Sequence, residues 1–73
     1  MTLHEAIIII LKEKDGEMTT AYIARELNNR KLYSKKDGSE ITDYQIHGRT
    51  KNYPKLFTRN GSKIHIFINQ YFA

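Results

Sequence analysis

Cysteine is absent from this 73-residue sequence, proline occurs once and glycine four times. Without cysteine there is neither a disulfide framework nor a thiolate metal site, and His4, His47 and His65 are too scattered to form a zinc cluster. No metal or cofactor is therefore expected. Long apolar runs are also missing: Ile7-Ile8-Ile9-Ile10-Leu11 falls far short of the ~18 residues that would span a bilayer, and charges flank it on both sides. That excludes a membrane span, and the start lacks the basic segment and small-residue cleavage site of a signal peptide. The lack of cysteine suits a cytoplasmic setting, nucleoid-associated in a bacterium. Residues 1–73 are enough for one domain, which at this size removes only about 60% of the unfolded chain's surface from water.

The net charge of +4 is unevenly spread. Residues 1–29 carry Lys12, Lys14 and Arg25 against Glu5, Glu13, Asp15, Glu17 and Glu26, a net of −2. Residues 30–63 carry Arg30, Lys31, Lys35, Lys36, Arg49, Lys51, Lys55, Arg59 and Lys63 against Asp37, Glu40 and Asp43, a net of +6. On charge alone, the basic half is either a solvated face or a polyanion-binding one.

Thr2 and Glu5 have capping-box spacing and predict a helix over residues 3–14, although four successive isoleucines favour a strand. Length decides for the helix, with Leu3, Ala6, Ile7, Ile10 and Leu11 in one stripe and Asp15-Gly16 as its stop. Ile8 and Ile9 lie about 140° and 240° round from Leu3, so at least one should stay outside a small core. Either Tyr71 and Phe72 of the C-terminal tail cover that surface, or it meets a second copy or a catalytic subunit. Met18 reads as a short extended piece. Thr19 then caps a second helix, which Asn28-Asn29 ends, with Ile23 and Leu27 inward.

Residues 30–39 read as a long basic loop with a turn at Lys36-Asp37-Gly38. Thr42 and Gln45 form another capping box, opening a third helix from Asp43 to about Asn52 that Tyr53-Pro54 terminates. Asn60-Gly61 then predicts a hairpin with a type I′ turn, placing Arg59 opposite Ser62 and Phe57 opposite Ile64. Phe57, Ile64, Ile66 and Ile68 share its core face. This order predicts an α+β fold, a winged helix-turn-helix of three helices with a C-terminal β-hairpin wing.

With Ile46 inward, Thr50 and Tyr53 fall near it, Tyr44, His47, Gly48 and Lys51 fall on the opposite face, and Gln45 and Arg49 lie on the flank. Gln and Arg can pair in bidentate fashion with adenine and guanine, while Lys meets phosphate. The candidate contacts to double-stranded DNA are Lys35 and Lys36 in the loop, Tyr44, Gln45, His47, Arg49 and Lys51 on the helix, and Arg59 and Lys63 on the wing. Each has a plainer reading. Lys35 and Lys36 can be solvated, Tyr44 can be a half-buried core rim, and Arg49 can clamp Asp43 or Glu26. Gly48 marks either close approach of a backbone to the helix or tight packing against helix 1 or the wing. His65 alternates with core isoleucines and should face solvent. Gly38 and Gly61 belong to turns rather than a phosphate loop, and no nucleophile pattern accompanies the histidines, so no catalytic site is expected.

The stretch Leu32-Tyr33-Ser34-Lys35-Lys36-Asp37-Gly38, then Gln45-Ile46-His47-Gly48-Arg49, then Asn52-Tyr53-Pro54-Lys55-Leu56-Phe57, resembles the HARE-type winged helix-turn-helix domains. The apolar first helix and Met18-Thr19-Thr20 before Ile23 also fit, so the resemblance runs nearly to Ile68. Its most specific part is Tyr-Pro-x-Leu-Phe after the Gln-Ile-x-x-Arg helix. Such domains are fused to bacterial restriction endonucleases and other DNA-processing proteins and occur in eukaryotic chromatin factors. The resemblance implies a DNA-binding adapter in restriction-modification or transcription regulation that brings a partner domain to DNA and senses base modification. These 73 residues hold no attached catalytic domain like that of the larger members. A protein-interaction winged helix within a DNA-processing assembly is the rival reading, and RNA binding a third.

Overall fold

The computed structural model describes residues 1–14 and 17–66. They form three helices and a three-stranded antiparallel sheet in the order α1 (Leu3–Lys14), β1 (Met18–Thr19), α2 (Thr20–Arg30), α3 (Asp43–Lys51), β2 (Phe57–Asn60) and β3 (Lys63–Ile66).

The α1 capping box forms as expected: Glu5 N–H donates to Thr2 Oγ1 at 3.3 Å and Thr2 N–H donates to Glu5 Oε1 at 2.8 Å. That backbone N–H is the main reason the Glu5 carboxyl ionises below its ordinary range, with the Thr2 hydroxyl adding to it. Leu3, Ala6, Ile7, Ile10 and Leu11 are all buried, so helical periodicity overrides the strand preference of the isoleucines. Ile8 also joins the core at 7% exposure, whereas Ile9 stays half-buried. The expectation that one of the pair remains partly outside thus falls on Ile9. Ile8, Ile9, Met1, His4, Glu5 and Lys12 line a shallow groove along α1. The Asp15-Gly16 stop, Ile68, Tyr71 and Phe72 lie outside the described residues.

Thr19 caps α2 by accepting from Tyr22 N–H at 3.1 Å, and Ile23 and Leu27 are fully buried. The helix runs to Arg30, past the expected stop at Asn28-Asn29. Asn28 is occupied elsewhere: its Nδ2 donates to the Ile41 carbonyl at 2.8 Å and its Oδ1 accepts from Ile41 N–H at 2.9 Å. Lys31 takes the left-handed conformation instead, with φ 54°. Its N–H donates to the Asn28 carbonyl at 3.3 Å and Leu32 N–H to the Leu27 carbonyl at 3.1 Å, the paired bonds of a Schellman motif. Leu32 then folds back onto the core.

The connection from α2 to α3 is a loop, as expected, anchored at its far end by buried Ile41. Its turn closes through Gly38 N–H to the Lys35 carbonyl at 3.0 Å, with Gly38 at φ 80°. Asp37 accepts from the Ser39 hydroxyl at 2.7 Å and from Ser39 N–H at 2.9 Å, which lowers its carboxyl's pKa. The α3 capping box is complete, with Gln45 N–H on Thr42 Oγ1 at 3.2 Å and Thr42 N–H on Gln45 Oε1 at 2.9 Å. After α3, Leu56 N–H donates to the Tyr53 carbonyl at 3.0 Å, a turn that Pro54 favours at its second position.

The hairpin register differs from expectation. Phe57 pairs with Ile66, Arg59 with Ile64 and Asn60 with Lys63, so the tip is Gly61-Ser62 rather than Asn60-Gly61. Gly61 has φ 67° while Asn60 does not turn positive, which fits Gly at the first central position of a type II′ turn. The pairing slips by two positions, an even number, so Phe57, Ile64 and Ile66 still share the buried face. β3 is the central strand: it also pairs with β1, Met18 opposite Ile64 and Thr19 opposite Lys63. Thr20 N–H reinforces the join by donating to the Ser62 carbonyl at 3.0 Å.

Candidate nucleic-acid interface

Ile46 and Thr50 anchor α3 inward; the buried Thr50 hydroxyl donates back to the Ile46 carbonyl at 2.9 Å and so needs no partner outside its helix. The opposite face then presents Tyr44, 83% exposed, with His47 and Lys51 also exposed. Gln45 and Arg49 are half-buried on the flanks, as the helical arithmetic predicted. At 83% exposure Tyr44 is no core rim. Arg49 is no internal clamp either, because both ion pairs among the described residues belong to Arg30. One joins Arg30 to Glu13 at the end of α1, the other joins it to Glu26 at 2.9 Å.

This changes the charge ledger. Arg30, counted with the basic half, is spent on two carboxylates of the acidic half, so the unneutralised set begins at Lys31. Lys35, Lys36, Arg49, Lys51, Lys55 and Lys63 form no ion pair with a described carboxylate. Lys35 acts at longer range on the Asp37 carboxylate; the others are left for something outside the described fold to neutralise. The carboxylates of this half, Asp37, Glu40 and Asp43, all precede or open α3, which shifts the positive potential toward its C-terminal half and the hairpin.

The helix and hairpin meet through two predicted site residues: Arg59 Nη2 lies against the His47 ring, 2.8 Å from Nδ1 and 2.5 Å from Nε2. A guanidinium only donates, so a ring nitrogen of His47 accepts. The contact fixes Arg59 of β2 against the exposed face of α3. Lys63 is exposed at the base of the hairpin tip, and Lys36 is exposed and Lys35 half-buried at the loop turn. Gln45 has a second task, because its Oε1 is held by the cap and only its Nε2 is left to meet a ligand. His65 is half-buried opposite Thr58, whose hydroxyl donates to the His65 carbonyl at 3.4 Å.

Gly48 sits in the middle of α3, where glycine costs a helix about 1 kcal/mol relative to alanine. A Cβ built on it meets no atom within 4 Å, so tight internal packing does not account for it. Sequence reasoning missed Asn28, whose partner Ile41 is too distant along the chain for any local signal to reveal. Among the described residues, no group of three His, Cys, Asp or Glu side chains is placed to hold a metal ion, and no helix is long and apolar enough to cross a membrane. Comparison of the chain with protein-family models, curated proteins and solved structures finds no match.

Proposed function

We propose that this chain is a winged helix-turn-helix module of the HARE type that binds double-stranded DNA, with α3 against the major groove and the β2–β3 hairpin as its wing. It acts as an adapter, contributing binding rather than chemistry. The observation that carries the reading is the unpaired basic set flanking an exposed α3 face that Arg59 and His47 lock to the hairpin. Lys51 and Lys63 meet phosphates, His47 and Arg49 face base edges or phosphates, and Tyr44 donates its hydroxyl to the backbone. Gln45 contributes its Nε2, and Lys35 and Lys36 reach phosphates flanking the groove.

Titrating a labelled mixed-sequence duplex with the chain at low and at moderate salt tests this. Affinity should fall steeply as salt rises, and Lys51→Ala or Lys63→Ala should each lower the slope of log K against log salt by about 1. A folded chain with no duplex binding at about 50 mM salt refutes the reading, since non-specific phosphate contacts are strong there.

A further inference from the structure

We infer that Gly48 is the seat of one DNA strand at the edge of the major groove, whose sugar–phosphate backbone passes beside the main chain of α3 at that position. The inference rests on the DNA-binding reading and adds to it the line that the strand takes.

A helix keeps an interior glycine at a cost in stability, and two internal reasons commonly offset it: a positive φ, or a neighbour too close for a side chain. Gly48 has neither. The positive-φ glycines among the described residues are Gly38 and Gly61, and the space where a Gly48 Cβ would stand is open. On a helix the residues surrounding position 48 are those three and four away, namely Tyr44, Gln45, Lys51 and Asn52. Tyr44, Lys51 and Asn52 are exposed, and Gln45 and Gly48 itself are half-buried. A phenol, an ammonium and two amides can each donate to phosphate oxygens, and no carboxylate is among them. Asp43, the nearest acid on α3, lies five residues back and about 140° round the helix. Charge and hydrogen-bonding chemistry therefore both match a polyanionic strand, and the missing methyl lets that strand come close enough for the ring of donors to reach it.

Gly48→Ala separates this role from a structural one, because the two move opposite ways. The variant should melt higher by about 4–8 °C, the shift that a gain of one glycine-to-alanine step gives a domain of this size. It should bind the labelled duplex about tenfold more weakly, the order expected when one charge-assisted hydrogen bond is lost. Asn29→Ala, at an exposed position of α2, controls for added helix stability and should leave affinity unchanged. If the wild-type chain binds and Gly48→Ala binds equally well, the seat is overturned while the DNA reading stands. Weakening by Asn29→Ala to the same degree also overturns it. A wild-type chain that does not bind overturns both.

Discussion

Asn28 holds two chain segments together with one amide, donating to and accepting from the backbone of Ile41. Truncation would leave a half-buried N–H and carbonyl without partners, so Asn28→Ala should cost about 2 kcal/mol, read as a lower urea midpoint at an unchanged m-value. Asn28→Asp keeps the acceptor but sets a carboxylate oxygen against the Ile41 carbonyl, and should cost at least as much as Asn28→Ala. This residue also shows where a sequence stops being informative. Asparagine is a common helix terminator, and by local rules Asn28-Asn29 is a sound stop. Its amide is instead taken by a residue thirteen positions away, and the helix continues until a lysine accepts the left-handed turn. Gln45 is the counterexample, since its capping partner Thr42 is three residues away and was legible.

Each helix start was predicted because a capping hydroxyl and the backbone N–H that donates to it lie within one turn of chain: Thr2 with Glu5, Thr19 with Tyr22, Thr42 with Gln45. The hairpin was predicted in place and in face but not in register. Asn60-Gly61 and Gly61-Ser62 can both supply a two-residue tip, and only the partner strands decide between them. The pairing of β1 with β3 was not predicted at all, since two residues carry no periodicity. Most of the α3 face was legible because Ile46 and Thr50 set its phase, with Tyr44, His47 and Lys51 exposed and Gly48 half-buried. Lys31 offers an element-level test. A non-glycine residue in the left-handed region is strained and its side chain is exposed, so Lys31→Gly should stabilise the end of α2 by about 0.5–1 kcal/mol. A raised urea midpoint checks it, and an unchanged or lowered one contradicts it.

Over the whole molecule, two depressed carboxyl pKa values contribute to the response to acid. Glu5 is lowered chiefly by the Thr2 N–H and Asp37 chiefly by the Ser39 hydroxyl, so in the folded state each holds its proton less tightly than in the unfolded chain. Their contribution is therefore present above the ordinary carboxylate range and is lost as pH falls through the lowered values. The net charge meanwhile climbs from +4 as the eight Asp and Glu side chains are neutralised, adding repulsion on a side that lacks internal partners. The urea midpoint should accordingly drop between about pH 5 and about pH 3, and a flat profile there would contradict both assignments. The place of β3 between β1 and β2 has a consequence of another kind. The central strand is made after both of its neighbours, so the sheet cannot close while the ribosome is still adding it. At about 5–20 residues per second, Met18 waits a few seconds for Ile64. During that interval the apolar stripe of α1 has only α2 and α3 to shelter it.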